Sequence, residues 1–311
     1  QKEYSIVLSL LYHSFGKNAN TGRMRQADII HQEKGRFFFM IPVQILATGS
    51  SGNCVLLDND ILIDAGITHK HFCEFGIPIN TIKQCIITHR HGDHMNKPFV
   101  RKLLTAGIPV LMSEDAAADL QLEGKIDVEE QIRLGNIAFL EKGKAYALPG
   151  GLTLHAHPQS HHDIVNYALV IERDGERLLY STDLDSLEPT DKGEGLLHLG
   201  TFDTILLEGN YDEPYLRAYI EYMVSIAPQA ENPGEMNNLE LELWVKQNYR
   251  FLPKDVARNA FRAIQNRRHL SKQQARAYAS THLKPGGVYY EIHRSGTFYE
   301  EPSGWREGLE N

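Results

Sequence analysis

The sequence predicts an α/β sandwich that forms one domain from about residue 40 to residue 301. From Met40 onward, short runs rich in Val, Ile and Leu are bounded by Gly, Asn or Pro, which is the pattern of β-strands. Amphipathic helical segments lie between these runs, and no repeat or low-complexity linker divides the sequence. Strands interspersed with helices favour packed layers of secondary structure around a shared core.

The predicted strands are short and follow one another closely in the first half of the domain. In chain order they are VQILA, CVLLD, ILIDAG, QCIIT, IPVLMS, LTLHAH, YALVIE, RLLYSTD, DTILLEG, VYYEIH and GTFYE. Turn-forming residues separate them, so each run has the length of an ordinary strand.

The predicted helices are recognised by apolar residues at helical spacing and by their caps. Residues 97–107 place Phe99, Leu103 and Leu104 on one face, and Gly107 fits a C-cap. Residues 114–122 form a second helix, and residues 253–266 a third. The apolar face of the third helix is predicted to contain Val256, Ala260, Phe261 and Ile264. A last helix begins at Ser271, which has Gln274 at capping-box spacing.

Three segments are predicted to lie outside the regular fold. Residues 1–39 are interpreted as an N-terminal extension, with a helix that packs on the domain as the alternative. Residues 227–238 (APQAENPGEMNN) form a loop insertion, which is a candidate lid or homodimer contact. Residues 302–311 form a tail.

Composition indicates a globular protein of the cytoplasm. Hydrophobic residues make up 42% and charged residues 23% of the 311 residues. The three cysteines show no CxxC spacing, which is typical of reduced thiols and not of a disulfide framework. No apolar run approaches the roughly 20 residues that cross a bilayer, so no membrane partner is expected.

Charge is unevenly distributed along the chain. Residues 240–285 carry ten Lys or Arg and three acids, whereas the whole chain has a net charge of −8. The remainder therefore carries −15. A local basic segment on an acidic protein favours a confined anion site over a long nucleic-acid track.

The motif H-x-H-x-D-H follows the predicted strand QCIIT and contains His89, His91, Asp93 and His94. Imidazole and carboxylate are ligands that suit zinc and neighbouring divalent metals. A loop that leaves a strand can turn alternate side chains towards one point. The motif therefore predicts a metal site, with a solvated histidine-rich turn as the alternative.

Together with ATGSSGN and ILIDAG, this motif resembles the metallo-β-lactamase superfamily over about Met40–Tyr299. The resemblance implies an αββα sandwich, in which two packed mixed β-sheets are flanked by helices. It also implies two divalent metal ions and seven ligands. Zn²⁺ fits these ligand types best, and Mn²⁺ accepts similar sets.

The resemblance assigns the remaining ligands to segments further along the chain. It gives one metal His89, His91 and His162, gives the other Asp93, His94 and His269, and makes Asp183 a bridging ligand. His161 is a close alternative to His162. Asp93 and Asp183 are also the implied catalytic residues, and Asp64 of ILIDAG is the implied partner that orients a ligand histidine.

Other polar residues are given simpler interpretations. His69, His71, His198 and His293 are predicted to be surface or core residues. His155 and His157 are explained by alternation along a strand, and His282 by a turn. Glu208, Asn210 and Asp212 could support the site, although a plain loop is favoured.

The resemblance also implies a function, with alternatives. The combination of ATGSSGN, HD, TD and RHLS is similar to the phosphodiesterase branch, which includes bacterial exonucleases, ribonuclease Z-like nucleases and phage anti-Pycsar enzymes that cleave cyclic nucleotides. It implies a metal-bridging hydroxide as nucleophile. Arg258, Arg262 and Arg268 would contact the phosphate.

The charge distribution favours a small cyclic nucleotide as the substrate. The alternatives are a ribonuclease Z-like or 5′–3′ exonuclease that acts on nucleic acid, and a non-catalytic metal-binding scaffold.

Overall fold

The computed structural model describes residues 30–33, 36–162, 164–227 and 236–303. Strands β1 (Ile30–Glu33) and β2 (Arg36–Phe39) pair antiparallel within the segment that was predicted as an N-terminal extension. The rest of that extension, most of the 227–238 insertion and the tail from residue 304 lie outside the described residues.

The first large sheet has six strands in the order β3-β4-β5-β6-β7-β8. Its first three strands are antiparallel, and β5 to β8 run parallel to one another. The strands are β3 (Val43–Ala47), β4 (Cys54–Leu57), β5 (Ile61–Ile63), β6 (Gln84–Ile86), β7 (Val110–Met112) and β8 (Ile137–Phe139).

The second large sheet also has six strands, in the order β14-β13-β12-β11-β10-β9. Strands β12, β13 and β14 are parallel, and the pairs from β9 to β12 are antiparallel. The strands are β9 (Ala145–Ala147), β10 (Thr153–Gln159), β11 (Asn166–Arg173), β12 (Glu176–Ser181), β13 (Phe202–Glu208) and β14 (Leu283–Ile292).

Helices flank the two sheets. They are α1 (His69–Glu74), α2 (Lys97–Thr105), α3 (Glu114–Gln121), α4 (Val128–Arg133), α5 (Glu213–Ser225), α6 (Asn238–Asn248), α7 (Lys254–Asn266) and α8 (Lys272–His282). The predictions of α2, α3, α7 and α8 are confirmed, including the Ser271–Gln274 capping box. Within the described residues, no helix is long and apolar enough to span a membrane.

The core lies in layers, as an αββα sandwich requires. Ile63 and Ile86 of the first sheet pack with Leu169 and Leu178 of the second, so the two sheets share one apolar interior. Phe99 of α2 belongs to the core on the outer side of the first sheet, and α8 packs on the outer side of the second. Burying apolar surface on both sides of each sheet supplies the main driving force for this architecture.

Two local predictions are wrong. GTFYE forms a turn and not a strand, because Phe298 is fully buried against α5. Phe261 is 40% exposed on α7, where its ring lies 5.3 Å from the ring of Tyr249. The buried face of α7 is completed by small residues, Ala257 and Ala263, which periodicity alone did not single out.

The fold brings several strand ends to one edge of the sandwich. Asp64 follows β5, His89 lies shortly after β6, and Asp183 lies shortly after β12. Glu208 is the last residue of β13, and His293 directly follows β14. Side chains at the carboxyl ends of neighbouring parallel strands converge, so this edge gathers polar groups that are far apart in the sequence.

Candidate metal centre

The first group of converging side chains contains His89, His91, His161 and Asp183, whose ligand atoms lie within 4.8 Å of one another. His89 Nε2 lies 3.1 Å from His91 Nδ1, which lies 3.3 Å from His161 Nε2. His161 Nε2 lies 3.6 Å from Asp183 Oδ1. Three imidazoles and a carboxylate form a ligand set that suits zinc.

The second group contains Asp93, His94 and His293. Asp93 Oδ2 lies 3.8 Å from His94 Nε2 and 3.6 Å from His293 Nε2. The other carboxylate oxygen of the centre, Asp183 Oδ2, lies 2.7 Å from His94 Nε2 and 3.6 Å from His293 Nε2. Asp183 therefore touches both groups, as a bridging ligand must.

Asp64 fixes the orientation of one ring in the second group. Its Oδ2 lies 2.7 Å from His94 Nδ1 and accepts a hydrogen bond of 2.9 Å from the hydroxyl of Tyr180. The Thr88 backbone N–H donates to Asp64 Oδ1 at 2.9 Å. With Nδ1 held by a carboxylate, Nε2 of His94 is the atom that faces the centre, which is how ligand histidines are commonly supported.

Glu208 contacts the rings of two further histidines, His269 and His293. Its Oε2 lies 3.1 Å from His269 Nδ1 and 3.2 Å from His293 Nδ1. The same oxygen accepts from the backbone N–H of Asp183, and Oε1 accepts from the N–H groups of Leu184 and Leu270. These donors engage both oxygens and fix the Glu208 carboxylate beside the centre, where it also belongs to a group of possible ligands with Asp183, His269 and His293.

Two buried amide side chains hold the turn that carries Asp183. Asn166 Nδ2 donates to the carbonyls of Thr182 and Asp183 at 3.0 and 2.7 Å, and Gln159 Nε2 donates to Thr182 at 2.6 Å. Asp183 has a left-handed backbone, with φ of 55°. An unusual backbone of this kind persists only where neighbours fix it.

The loop that contains Asn53 closes the other side of the centre. The Asn53 amide nitrogen lies 2.9 Å from His94 Nε2 and donates to the carbonyl of Asp93. Thr48 Oγ1 accepts from the backbone N–H of His293 at 2.7 Å. The glycine-rich segment ATGSSGN therefore positions ligands from both sheets.

The electrostatics of the centre favour a bound cation. Burial opposes ionisation of Asp183, yet His293 and His94 hold its pKa well below the usual value. Burial also opposes ionisation of Glu208, but His269 and the hydrogen bonds from His269 and His293 lower its pKa to about 2. Two ionised carboxylates in a buried place require compensating positive charge, which the neighbouring histidines supply here and which bound cations would supply in their place.

The histidines differ according to their surroundings. Burial lowers the pKa of His89 well below its usual value and that of His161 to about 3. Burial acts in the same direction on His293, but Asp183, Asp93 and Glu208 outweigh it and raise its pKa to about 10. The first group thus presents neutral imidazoles, the form that binds metal.

The donor set fits two divalent ions. Asp183 Oδ2 and His293 Nε2 are buried beside the second group, and neither makes a well-aligned hydrogen bond with the described residues, although Asp183 Oδ2 lies 2.7 Å from His94 Nε2. Buried polar atoms are normally satisfied, so unpaired ones that converge indicate a ligand site. His89, His91, His161 and Asp183 would hold one ion, and Asp93, His94, His293 and Asp183 the other.

Of the two histidines that the sequence offers for the first group, the structure brings His161 and not His162 to the other ligands. His161 points into the first group, whereas the half-buried His162 turns outward, with its Nδ1 3.3 Å from Arg268. The two residues are adjacent, their ring centroids lie 4.8 Å apart, and His162 has a left-handed backbone with φ of 54°.

The structure places His269 in a further group of possible ligands, with Asp183, Glu208 and His293, whose ligand atoms also lie within 4.8 Å of one another. His293 completes the group with Asp93 and His94, and His269 lies beside it with Nδ1 directed at Glu208 and 3.6 Å from Asp183 Oδ1. The sequence analysis predicts His293 as a surface or core residue, and the structure buries it at the centre. Its position directly after a predicted strand, like that of Asp183, was the available signal.

The three arginines predicted to contact phosphate occupy different places. Arg268 lies beside His162 and pairs with Glu242 at 2.6 Å. Arg262 is exposed on α7 and lies 3.4 Å from the hydroxyl of Thr297. Arg258 is exposed one turn earlier. Only Arg268 of these three lies in contact with a residue beside the metal-ligand groups.

The αββα sandwich and the two histidine–aspartate groups define a metallo-β-lactamase-fold hydrolase. The family model described as "Beta-lactamase superfamily domain" matches residues 59–245, which is more than half of the chain. The chain therefore belongs to the β-lactamase superfamily.

Solved structures similar to this chain include those of a human tRNase Z, of YhfI and of PqqB. Human tRNase Z, short form, has 14% identity over 81% of this chain and 92% of its own, with a TM-score of 0.46. YhfI from Bacillus subtilis has 17% identity over 64% and 78%, with a TM-score of 0.42. Zinc-bound PqqB from Methylobacterium extorquens has 13% identity over 57% and 76%, with a TM-score of 0.41. Among curated proteins, none matches the chain.

Proposed function

We propose that this chain is a dinuclear metal-dependent phosphodiesterase that hydrolyses a small phosphodiester such as a cyclic nucleotide. The observation that carries the proposal is the Glu208–His269 pair beside Asp183, with His269 Nδ1 3.1 Å from Glu208 Oε2. An imidazole supported in this way suits protonation of an alkoxide leaving group.

The metal ions would supply the nucleophile and the charge stabilisation. When bound, two divalent ions lower the pKa of water and clamp the attacking and leaving oxygens, and Zn²⁺ fits the nitrogen-rich ligand set best. Asp183 would bridge the ions, and Asp93 would complete the second set. Asp64 and Glu208 would keep the ring nitrogens of His94 and His293 directed at the centre.

His269 is assigned the role of general acid. Burial would lower its pKa, but Glu208 and Asp183 outweigh burial and raise it. Its side chain is 15% exposed, whereas those of His89 and His94 are fully buried. As general acid, the imidazole at the open side of the centre would protonate the ribose oxygen that is released when the cyclic phosphodiester opens.

Arg268 is assigned to the phosphate at the rim of the site. Its guanidinium lies between His162 and Glu242, so one face of the group is already neutralised. A partly balanced cation suits a single phosphodiester, which carries one negative charge. Arg258 and Arg262 lie further out on α7 and would act on a longer substrate.

Charge separates the cyclic-nucleotide hypothesis from the nuclease hypothesis. Nucleic-acid binding gains affinity from each phosphate that basic side chains neutralise. The chain carries −15 outside residues 240–285, which disfavours a polymer away from α7. The exposed Arg258 and Arg262 favour a single-stranded nucleic acid as the second candidate substrate.

The test compares hydrolysis of cyclic mononucleotides and of 5′-labelled single-stranded DNA and RNA, with zinc and after chelation. We expect metal-dependent opening of a cyclic nucleotide and little loss of polymer. Asp183→Asn should abolish turnover, and Asp174→Asn, a change in an exposed turn, should not.

Each other outcome rejects a specific part of the proposal. Degradation of polymer alone would replace the small substrate with nucleic acid. Bound metal without hydrolysis of any of the substrates would contradict the phosphodiesterase and favour the scaffold.

A further inference from the structure

A separate group of metal-ligating side chains lies outside the candidate metal centre. His157 is on β10, Glu194 lies in the loop that follows Asp183, and His198 lies in a 3₁₀ turn formed by Leu197–Leu199. Each offers one ligand atom, and the three atoms lie within 4.8 Å of one another. None of the three has a role in the proposed hydrolysis.

The geometry directs these side chains at one point. His157 Nδ1 lies 3.5 Å from Glu194 Oε2, and the rings of His157 and His198 have centroids 6.0 Å apart. Lys142 binds the other carboxylate oxygen, Glu194 Oε1, at 2.7 Å. Lys142 therefore fixes the carboxylate while Oε2 faces the two histidines.

The loop that carries Glu194 is held in a defined conformation. The N–H of Leu196 donates to the carbonyl of Leu187 and that of Thr190 to the carbonyl of Gly193, both at 2.8 Å. Gly193 lies so close to β10 that a Cβ would approach Ser160 N to 2.5 Å. Hydrogen bonds within the loop and the close packing of Gly193 against the end of β10 therefore fix the conformation of the loop.

Glu194 itself is anchored to the strand that bears His157. Its backbone N–H donates to the carbonyl of Pro158 at 2.8 Å. Ligands held in place before binding lose less conformational freedom when the ion arrives.

We propose that His157, Glu194 and His198 form a third metal site that binds Zn²⁺ and fastens the 184–199 segment to β10. Two imidazoles and one carboxylate are a set that Zn²⁺ takes in proteins, with water completing the coordination. His198 is exposed, so the site is open to an ion from solution. The proposal does not depend on the proposed phosphodiesterase activity.

The position of the site gives the ion a structural consequence. The fastened segment begins directly after Asp183, and Lys192 within it donates to the carbonyl of His162 at 2.8 Å. An ion at the third site would hold this segment beside the metal centre. The ion itself would take no part in the reaction.

The test measures zinc content after apo-protein is equilibrated with a buffered concentration of free Zn²⁺. We expect His198→Ala and Glu194→Gln each to hold one equivalent less than the unmodified protein, because each change removes one of the three proposed ligands. His71→Ala, a change in a half-buried histidine on α1, should hold the unmodified amount.

A second comparison separates this site from the metal centre. His293→Ala should also lower zinc content, and its loss should add to that of His198→Ala in the double variant. Circular dichroism establishes that each variant is folded. Unchanged zinc content in both His198→Ala and Glu194→Gln would overturn the proposal, whatever the outcome of the activity assays.

Discussion

Four residues at the candidate metal centre adopt the left-handed backbone that favours glycine. Asp64, His162, Asp183 and His293 have φ between 54° and 58°, and each lies just beyond the end of a strand. Such a backbone costs of order 1–3 kcal/mol in a non-glycine residue. Its recurrence at one edge indicates that the contacts of these side chains outweigh the energetic cost of the backbone conformation.

His269 and His293 are expected to give opposite responses to substitution. His293→Ala should lower metal content, because Nε2 of His293 faces Asp93 and Asp183. His269→Ala should keep both ions of the metal centre and lose about 10²–10⁴-fold in turnover, the range for a general acid. Metal analysis and steady-state kinetics of the two variants make the comparison.

His282→Ala is a control for the removal of a histidine, since His282 stacks on Tyr278 at the end of α8. Loss of metal in His269→Ala together with full metal in His293→Ala would restore His269 as the ligand.

Asp64→Asn tests whether the buried carboxylate positions His94. The Asp64 side chain lies against His94 Nδ1, the Thr88 N–H and the Tyr180 hydroxyl. An amide group must place an N–H against at least one of these donors, so we expect metal affinity to fall about 10–100-fold. Competition with a chelator measures it.

Asp174→Asn is the matched control for Asp64→Asn, because Asp174 has a similar φ of 52° but lies in the exposed turn between β11 and β12. Equal affinities of the two variants would refute the assignment of Asp64.

At the scale of elements, the turn after β14 depends on one buried ring. Phe298 is fully buried, and its ring centroid lies 5.5 Å from that of Tyr215 and 5.0 Å from that of Tyr219 on α5. We expect Phe298→Ala to lower the free energy of unfolding by about 3–5 kcal/mol, because the helices cannot close the cavity. Urea unfolding measures this change.

Phe251→Ala offers the comparison, since Phe251 is 52% exposed and its loss should cost about 1 kcal/mol or less. Similar costs for the two changes would show that Phe298 does not anchor the turn.

Local patterns predicted the elements whose information lies within a few residues. Helix α2 has its apolar residues and Gly107 in one stretch, and α8 has both partners of its capping box. The motif after β6 likewise places His89, His91, Asp93 and His94 within six residues. Spacing alone is sufficient in such cases.

The rest depends on contacts between distant segments. His293 joins the centre because β14 runs parallel to β13, which places it above Glu208, 85 residues earlier. The choice between His161 and His162 depends on a backbone turn that no periodicity records. Phe298 resembles part of a strand until α5 is known to lie beside it.

At the scale of the molecule, a buried carboxyl group joins the two halves of the sandwich. The N–H of Ile41, just before β3, donates to Glu176 Oε1 of β12 at 2.6 Å. Burial raises the pKa of Glu176 to about 7 from an ordinary value of 4.5. Between about pH 4.5 and pH 7, the folded protein therefore keeps a proton on Glu176 that the unfolded chain has released.

This difference makes stability depend on pH. Because the folded state binds the extra proton, the free energy of unfolding falls as pH rises from about 4.5 to about 7 and the contribution is lost above that window. Glu176→Gln removes the titration, so between pH 5 and pH 8 its stability should fall less than that of the unmodified protein, by about 1–3 kcal/mol.

Urea unfolding at the two pH values measures this difference, with Glu300→Gln as an exposed control. A fall in stability of the same size in the unmodified protein and in Glu176→Gln would contradict the assignment.

The polar contacts that join the two sheets are of different types at the two ends of the sandwich. At the end that carries Glu176, Arg173 of β11 also binds Asp58 of the β4–β5 turn at 2.5 Å, so protein groups alone join the sheets. At the other end, each proposed metal would draw ligands from both sheets, with His94 from the first and Asp183 from the second. Chelation should accordingly speed amide hydrogen exchange in residues 88–95 and 182–185 while the far turns keep their protection. Removal of the metals would then loosen the end of the sandwich that carries the candidate metal centre and leave the opposite end closed.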